Sequence, residues 1–298
     1  MNLLTLDIGG TAMKSGLFQD GTLTDCREQP SRGKEGIGAV SEVILKTIAE
    51  AHAHSPLDGV GISMTGQISP GDGQIIFATD SIPGATGFPL GETIRQQVSF
   101  PVAIDNDVNC AAVGEGYFGS GKNFRNFLCL TYGTGIGGAI VIDRKVFYGK
   151  IGIAGEVGHM VTHAGGLPCV CGRKGCYEMY GSTNALLRRI KEITGEDWNG
   201  RQVFEHFSAP AVRSAIDAWI DEIVWGLISL LHIFNPEAVI LGGGILEQPY
   251  VYDEIVRRTL DSVLESFGTS ELVRASLGNL AGIYGAYHNI TALLSKNQ

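Results

Sequence analysis

Short apolar runs, each followed by a glycine-rich turn, recur along this chain. Leu3 to Ile8 predicts a β-strand that enters such a turn, and Ser15 to Gln19 predicts the strand that returns. The scheme repeats at Phe127 to Tyr132, where a strand precedes the glycine turn Gly133 to Gly138 and a return strand, Ala139 to Ile142. We interpret the repeat as an internal duplication of architecture, although the residues of the two copies differ.

Helical periodicity appears in two further segments. Apolar residues fall on one helical face from Val40 to Ala51, and over a longer stretch from Val212 to Leu231. The segment Ser69 to Leu90 is rich in Gly, Pro and Asp and predicts a long functional loop. Additional buried strands are predicted at Val60 to Met64, Val102 to Ile104 and Ala238 to Leu241. Strands that alternate with helices indicate an α/β protein.

The length of the chain favours two domains. With 298 residues, 44% of them hydrophobic, the sequence can form a sizeable core in each. No low-complexity segment or long linker separates the halves. We place the boundary after residue 115, which gives a first domain of residues 1–115 and a second of residues 116–298. A C-terminal helix at residues 281–295 is expected to rejoin the first domain.

Charge and hydropathy argue against two classes of partner. The net charge is −9 and no cluster of Lys and Arg occurs, so we expect no nucleic-acid partner. The segment Met1 to Asp7 lacks the basic region and cleavage site of a signal peptide. The most apolar stretch, Ile223 to Phe234, is too short to cross a bilayer. These features predict a soluble, cytoplasmic protein with no membrane partner.

Three glycine-rich turns, each after an apolar strand, indicate a nucleotide, because glycine lets backbone N–H groups approach phosphate oxygens. Gly9-Gly10-Thr11 with Lys14 offers amides, a hydroxyl and a cation, whereas Gly133-Thr134-Gly135 offers amides and a hydroxyl. The third turn is Gly242-Gly243-Gly244. The alternative is that each turn only closes a hairpin. The chain contains no GxxxxGK[ST] motif, and the return strand after the second turn argues against a Rossmann site.

Carboxylates lie at the ends of two predicted strands. Asp7 precedes the first glycine turn, where it could hold Mg²⁺ through water or simply cap the turn. Asp105-Asn106-Asp107 follows the strand Val102 to Ile104 and leads into a predicted helix, Val108 to Glu115. A carboxylate at such a position suits a general base, although Asn and Asp are also ordinary helix N-caps. Phosphoryl transfer needs a positioned carboxylate, amides for the phosphates and a metal, and the chain has candidates for all three.

One histidine and three cysteines lie close together in the sequence. His159 ends the segment Gly155-Glu156-Val157-Gly158-His159, and Cys169, Cys171 and Cys176 follow within a short run. This set matches a tetrahedral Zn²⁺ with a closed Cys₃His shell, which we interpret as structural because a catalytic zinc keeps a position open. The alternative is a group of thiols that binds no metal.

With these residues assembled, the chain resembles the ROK family of bacterial sugar kinases and repressors, within the hexokinase–actin ATPase-like superfamily. The resemblance runs from Leu4 to about Tyr287. The matching segments are Leu6-Asp7-Ile8-Gly9-Gly10-Thr11 with Lys14, Asp105-Asn106-Asp107, Gly133-Thr134-Gly135-Ile136-Gly137-Gly138, Gly155-Glu156-Val157-Gly158-His159, Cys169 to Cys176 with Glu178, and Gly242-Gly243-Gly244.

The resemblance implies a fold and an activity. The fold would be two actin-like ATPase (ribonuclease H-like) domains, each a mixed β-sheet flanked by helices, with a cleft between them. The activity would be ATP-dependent transfer of the γ-phosphate to the 6-hydroxyl of a hexose or hexose derivative. Mg²⁺ would accompany ATP, the zinc would be structural, and the protein would be a homodimer.

The resemblance also implies roles for individual residues. Asp107 would be the catalytic base. His159 would direct one ring nitrogen to Zn²⁺ and the other toward the sugar. Gly243 and Gly244 would lie against the adenosine. The remaining residues expected to hydrogen-bond the sugar hydroxyls are Asn106, Glu156 and Glu178.

The chain departs from the family's glucokinases in two loops that concern the sugar. Thr65-Gly66-Gln67 stands where a Pro-Gly pair is frequent, and Ser81 and Ala85 stand where Asn and Trp are frequent. We expect Gly66 and Ser81 to contact the sugar, and Ala85 to leave extra room beside it. The alternatives to a glucokinase are therefore an N-acetylmannosamine kinase or a β-glucoside kinase, which accept a larger sugar.

Two functions other than catalysis are also open. One is a sugar-sensing ROK repressor-like protein without its DNA-binding domain, since the first glycine turn begins too early for a preceding helix-turn-helix. The other is a sugar-binding pseudokinase. The presence of Asp7, Lys14 and Asp107 together argues against the second.

Overall fold

The computed structural model describes residues 1–296 and shows an α/β protein that divides into two compact units. Unit 1 comprises Met1–Asn123, Ile140–Ala154 and the chain from Asn279 onward. Unit 2 comprises Phe124–Ala139 and Gly155–Gly278. The predicted domain boundary after residue 115 stays a prediction. It placed residues 140–154 in the second domain, whereas these residues belong to unit 1.

The first part of the chain contains seven strands and three helices. The strands are β1 (Asn2–Ile8), β2 (Ala12–Gln19), β3 (Thr22–Pro30), β4 (Gly59–Met64), β5 (Gln67–Ile68), β6 (Ile75–Phe77) and β7 (Val102–Asn106). The helices are α1 (Ile37–His54), α2 (Leu90–Arg95) and α3 (Asp107–Phe118).

The rest of the described chain contains five strands and six helices. The strands are β8 (Phe127–Tyr132), β9 (Ile136–Ile142), β10 (Lys145–Val146), β11 (Ala238–Gly242) and β12 (Glu271–Arg274). The helices are α4 (Glu178–Gly181), α5 (Thr183–Thr194), α6 (Gly200–Glu205), α7 (Pro210–Phe234), α8 (Pro249–Ser262) and α9 (Ala281–Lys296).

The two five-stranded sheets have the same strand order. The first is β3-β2-β1-β4-β7 and the second is β10-β9-β8-β11-β12. In the first, β1 is antiparallel to β2 and parallel to β4, and β4 is parallel to β7. In the second, β11 is parallel to both β8 and β12. The predicted internal duplication is therefore confirmed at the level of strand order.

The first sheet carries helices on both faces, because its strands alternate side chains between two apolar layers. Leu4, Leu6 and Ile8 of β1 pack in a cluster with the buried face of α1, whereas Leu3 packs with Ile283 of α9 on the other side. Thr5 and Asp7 share the face of Leu3 by this alternation. Asp7 thus lies on the side of the sheet that α9 covers.

Two predictions about local structure were wrong. The segment Ser69 to Leu90 is not a loop throughout, since β6 pairs with β5 in a small hairpin and Ile75 is fully buried. The second glycine turn is shorter than expected, because β9 begins at Ile136 and so takes Gly137 and Gly138 into the strand. In both places a buried isoleucine extends regular structure into a glycine-rich stretch.

No helix within residues 1–296 is both long enough and apolar enough to cross a membrane. The longest, α7, contains Asp217, Asp221 and Glu222 along its length.

Candidate active site

A row of polar side chains crosses the first sheet where its parallel strands end. The strand register pairs Asp7 of β1 with Lys14 of β2 on one side and with Ser63 of β4 on the other, and it pairs Ser63 with Asp105 of β7. Ser63 Oγ donates a hydrogen bond to Asp7 Oδ1 at 2.6 Å. Side chains in register point to the same face of a sheet, so these four lie side by side.

Asp7 lies against the start of α9. A Cβ atom on Gly282 would come within 2.6 Å of Asp7 Oδ1, so a glycine is required for the helix to approach this closely. Burial raises the pKa of Asp7, although the hydrogen bond from Ser63 and the charge of Lys14 oppose the rise. A buried carboxylate that keeps a cation beside it suits an indirect Mg²⁺ ligand.

Asn106 serves both as a helix cap and as a support for Asp107. Its Oδ1 accepts hydrogen bonds from the backbone N–H groups of Val108 and Asn109, at 2.9 and 3.0 Å, so it is the N-cap of α3. Its Nδ2 donates to Gly66 O and to Asp107 Oδ1, both at 2.8 Å. The N-cap alternative for this triplet is confirmed, and it is compatible with a functional role.

Asp107 has the most chemically informative environment of the carboxylates. It is the first residue of α3, and its Oδ1 also accepts a hydrogen bond from Val108 N at 2.9 Å. Burial and, next, the negative charge of Asp7 raise its pKa to about 7, while hydrogen bonds from Val108, Thr65 and Asn106 oppose the rise. A carboxyl group with a pKa near the working pH is suited to general-base catalysis.

Asp105 is occupied by protein donors. Its Oδ1 accepts from Asn106 N at 2.7 Å and from Asn109 Nδ2 at 3.1 Å, and its Oδ2 accepts from the hydroxyl of Tyr148 at 2.6 Å. The side chain is buried. Asp105 therefore anchors the start of α3, and Asp107 is the better candidate for the base. Sequence reasoning missed Tyr148, which lies in a stretch without a recognisable pattern.

The first glycine turn closes the β1–β2 hairpin and contacts the loop that carries Ser81. Gly9 N donates to Ala12 O at 2.9 Å, as the hairpin alternative requires. A Cβ atom on Gly10 would lie 3.1 Å from Ser81 Cβ, so the two residues are adjacent. Thr11 is exposed, and its hydroxyl is accessible to a phosphate. The turn thus brings a phosphate-binding candidate next to a sugar-binding candidate.

The expectation that Ala85 leaves extra room for a sugar was wrong. Ala85 is fully buried in the apolar cluster of unit 1, together with Ile82 and Leu90. Its side chain therefore packs within the core and does not line an open space. Ser81, which directly precedes Ile82 and lies in neither strand nor helix, is exposed and hydrogen-bonds with Thr79 at 2.9 Å.

The glycine turns of unit 2 lie beside each other. Gly243 has a φ of +119°, and a Cβ atom there would collide with the carbonyl oxygen of Tyr132, the residue before Gly133. Gly133 and Thr134 are exposed, and no atom lies within 4 Å of the position that a Cβ on Gly133 or Gly244 would take. The strand ends therefore present open backbone for a nucleotide.

His159 and the three cysteines converge, as the metal hypothesis requires. The ligand atoms of His159, Cys169, Cys171 and Cys176 all lie within 4.8 Å of one another. Cys171 Sγ is 3.5 Å from Cys176 Sγ, and Cys169 Sγ is 3.7 Å from His159 Nδ1. These spacings fit one tetrahedral ion with Zn–S bonds of about 2.3 Å and a Zn–N bond of about 2.0 Å.

The two nitrogens of His159 face different partners. Nδ1 points to the thiols, whereas Nε2 lies 3.8 Å from Glu156 Oε2. The ring can therefore bind a metal on one side and a hydroxyl on the other.

Glu178 joins the cysteine cluster to the second glycine turn. The thiol of Cys169 donates to Glu178 Oε1 at 3.1 Å, and His159 Nδ1 lies 3.6 Å from the same oxygen. On its other side, Glu178 Oε2 would be 2.6 Å from a Cβ atom on Gly135. Gly135 thus leaves space for the carboxylate of Glu178.

These features agree with the comparisons with known proteins. The ROK family matches residues 3–292, and the chain belongs to that family. It is 31% identical to a glucokinase of Streptomyces coelicolor over 94% of this chain and 95% of that protein. It is 32% identical to a beta-glucoside kinase of Listeria monocytogenes over 97% of each chain.

Among solved structures, the fold is similar to that of a ROK family glucokinase from Streptomyces griseus in complex with glucose and AMPPNP. The TM-score is 0.82 and the identity 28%, over 96% of this chain and 98% of that one.

Proposed function

We propose that this protein is an ATP-dependent sugar kinase that transfers the γ-phosphate of ATP to the 6-hydroxyl of a hexose. The observation that carries the proposal is Asp107, which is held by Asn106 at the start of α3 and has a pKa of about 7. Relatives across almost the full length of the chain are sugar kinases, and one structural neighbour binds glucose and an ATP analogue. Both findings support the proposal.

In the proposed reaction, Asp107 accepts the proton of the 6-hydroxyl as its oxygen bonds to the γ-phosphorus and the bond to ADP breaks. Asn106 holds the carboxylate in place through its Nδ2. The other residues proposed to hydrogen-bond the sugar are Gly66, Ser81, Glu156, His159 and Glu178. The polar groups of such a site favour a ring with many hydroxyls, because each protein group would be left without a hydrogen-bond partner if its hydroxyl were missing.

For the nucleotide, the proposal assigns the first glycine turn to the phosphates. Gly9, Gly10 and Thr11 supply amides and a hydroxyl, and Lys14 supplies a positive charge. Mg²⁺ bound with ATP would neutralise phosphate charge, and Asp7 would hold it through water. In unit 2, Gly133, Thr134 and Gly135 contact phosphates, and Gly243 and Gly244 lie against the adenosine.

The cysteine cluster is proposed to hold one structural Zn²⁺. The four side chains that would bind it are His159, Cys169, Cys171 and Cys176, and the ion would contribute folding free energy to this loop. His159 Nδ1 would be its ligand, which leaves Nε2 beside Glu156 for the sugar.

Two separate cysteine substitutions test whether the cluster binds a metal. We expect one zinc per chain by elemental analysis, and Cys171→Ser should lose it and melt about 5 °C lower or more, since the metal contributes folding free energy. Cys26→Ser, an exposed cysteine of β3, is the control and should change neither. Metal-free wild type that keeps full stability would contradict the structural role.

The preferred sugar is proposed to be glucose, since the burial of Ala85 removes the structural argument for a larger sugar. An N-acetylmannosamine kinase and a β-glucoside kinase stay as alternatives, the second because a relative of that kind matches 97% of this chain. The test is ADP release across glucose, mannose, fructose, N-acetylmannosamine, N-acetylglucosamine and cellobiose. No sugar-dependent ADP release at all would overturn the kinase proposal.

We further propose that the protein is a cytoplasmic homodimer, on the basis of the family alone. Sedimentation of the purified protein at micromolar concentration tests the assembly, and a single species with the mass of one chain would contradict it.

A further inference from the structure

Tyr148 reaches from the segment after β10 to the carboxylate of Asp105, and both residues belong to unit 1. The hydroxyl donates to Asp105 Oδ2 at 2.6 Å. Burial and the charge of Asp105 raise the pKa of Tyr148, so it stays protonated and donates this bond throughout the neutral range. A short hydrogen bond to a buried carboxylate is among the stronger kinds in proteins.

Asp105 links Tyr148 to the residues at the start of α3 by hydrogen bonds. Its two oxygens have separate partners: Oδ2 takes the bond from Tyr148, while Oδ1 takes the bonds from Asn106 N and Asn109 Nδ2. With both oxygens engaged, the plane of the carboxylate is fixed. Asn106, held in this way, donates through its Nδ2 to Asp107 Oδ1. Hydrogen bonds on the backbone and on the side chain of Asn106 thus link the hydroxyl of Tyr148, through Asp105, to the carboxylate of Asp107.

The backbone of Tyr148 is held as well. Its carbonyl oxygen accepts from the N–H groups of Gly152 and Ala154, at 3.1 and 3.2 Å. A Cβ atom on Gly152 would collide with the ring of Pro70, so this loop packs closely on the segment after β5. Tyr148 is therefore a fixed donor, which is what a residue that orients another group must be.

We propose that Tyr148 is a positioning residue for phosphoryl transfer, which fixes the orientation of Asp107 through Asp105 and Asn106. The proposal rests on the proposed function, in which Asp107 is the base. Without the hydroxyl of Tyr148, Asp105 Oδ2 loses its donor and the carboxylate can rotate, which moves Asn106 and, with it, Asp107. A small displacement of a reacting group lowers the rate far more than it lowers stability.

The test compares Tyr148, which follows the β9–β10 hairpin, with Tyr117 of α3, which contacts the turn of that hairpin. Tyr148→Phe removes the bond to Asp105, whereas Tyr117→Phe removes a long bond, 3.4 Å, from α3 to Arg144 O in the turn between β9 and β10. We expect Tyr148→Phe to lower kcat about tenfold, with the sugar KM within about twofold of wild type. Tyr117→Phe should change kcat by less than about twofold. Melting temperatures of both variants establish that they are folded at the assay temperature.

A double-mutant cycle isolates the route through Asp105. In an Asp105→Ala background, Tyr148→Phe should reduce kcat by less than about twofold, because its partner is already absent. If Asp105→Ala does not fold, Asp105→Asn replaces it, and the effects of the two changes are again expected to be non-additive. Fully additive effects would overturn the proposed route.

Asp107→Asn separates this inference from the proposed function. An inactive Asp107→Asn together with wild-type kcat in Tyr148→Phe overturns the positioning role alone. An active Asp107→Asn overturns the role of the base and, with it, the role of Tyr148. Equal losses of kcat in Tyr148→Phe and Tyr117→Phe would also overturn it, since they would indicate a general effect of loosening the hairpin.

Discussion

The two sheets share a strand order but differ at the ends of their strands. In the first sheet, the parallel strands β1, β4 and β7 carry Asp7, Ser63 and Asp105 near their carboxyl ends. In the second, the residue of β8 that lies as far before its glycine turn as Asp7 does is Thr131, and it pairs in register with Gly242 of β11. One copy therefore holds a carboxylate beside a hydroxyl where the other holds a hydroxyl beside a glycine. Strand order sets where a site can form, and the residues at the strand ends decide its chemistry.

The units also differ in how they fix their functional residues. In unit 1, Asp105, Asn106 and Asp107 are joined by hydrogen bonds. In unit 2, Glu178 lies between a cysteine cluster and a glycine that leaves it space. Under the proposed function, the proton transfer would depend on Asp107 of unit 1, whereas Glu178 of unit 2 would supply a binding group. The following predictions test this difference, from the largest expected effect to the smallest.

Removal of the base should have the largest effect. Asp107→Asn keeps an oxygen that can accept from Asn106 and Val108 but cannot take up the proton, so kcat should fall by at least about 10²-fold. Sugar binding, measured by calorimetry, should stay close to wild type. The exposed Asp253→Asn in α8 is the control and should have no effect. Turnover close to wild type in Asp107→Asn would show that Asp107 is not the base.

Activity should depend on pH through the same group. Because Asp107 must be ionised to accept a proton and its pKa is about 7, kcat/KM should fall about tenfold per pH unit below that value. The fall of kcat itself on the acid side should occur at a lower pH than the fall of kcat/KM. Mg²⁺ bound with the nucleotide would offset the negative charge of Asp7, which raises the pKa of Asp107. A kcat/KM that is constant from pH 5 to pH 8 would contradict the assignment.

Two glycines of the second turn should respond differently to alanine. Gly135→Ala would push its Cβ against Glu178 Oε2, and because that side chain is flexible, we expect it to move and the sugar KM to rise about tenfold. The Cβ atom added in Gly133→Ala would meet no atom within 4 Å, so the sugar KM should stay within about twofold of wild type. Steady-state kinetics at saturating ATP measure both. Equal sugar KM values in the two variants would remove Glu178 from the binding site.

The smallest effect is on stability. The folded-state pKa of Asp107 is raised from 3.8 to about 7, so the folded state retains a proton that the unfolded chain loses. The stabilisation of the folded state by this retained proton is complete below about pH 4 and is lost as the pH rises through about 7. Asp107→Asn should therefore melt higher than wild type by about 2 °C or more at pH 8, and by less at pH 5. A difference that does not change with pH would contradict the raised pKa.

Much of the site could be predicted from sequence because its parts are local. The strand at residues 127–132, the capping triplet Asp105-Asn106-Asp107 and the cysteine cluster each depend on neighbouring residues, and the structure places all three as expected. The predicted duplication of strand, glycine turn and return strand agrees with the strand order that the two sheets share.

Long-range packing could not be predicted in this way. Tyr148 and Asp105 are far apart in sequence, and no pattern marks a tyrosine that donates to a distant carboxylate. Ala85 was expected to leave room beside the sugar because a larger residue is frequent at that position, yet its side chain is buried in the core. The size of a residue does not reveal whether its side chain faces a ligand or a neighbouring isoleucine.

The close packing of α9 has a consequence for how the protein is made. A Cβ atom on Gly285 would collide with Cys110 O, and one on Gly114 would collide with Ala281 O, so α3 and α9 touch backbone to backbone. Yet α3 leaves the ribosome long before α9 is translated. Until then, Asp7 lacks the helix that covers it, and Leu3 and Phe18 lack their partners Ile283 and Ile290. A nascent chain that stops before Ala281 is therefore expected to be inactive and to need protection by chaperones.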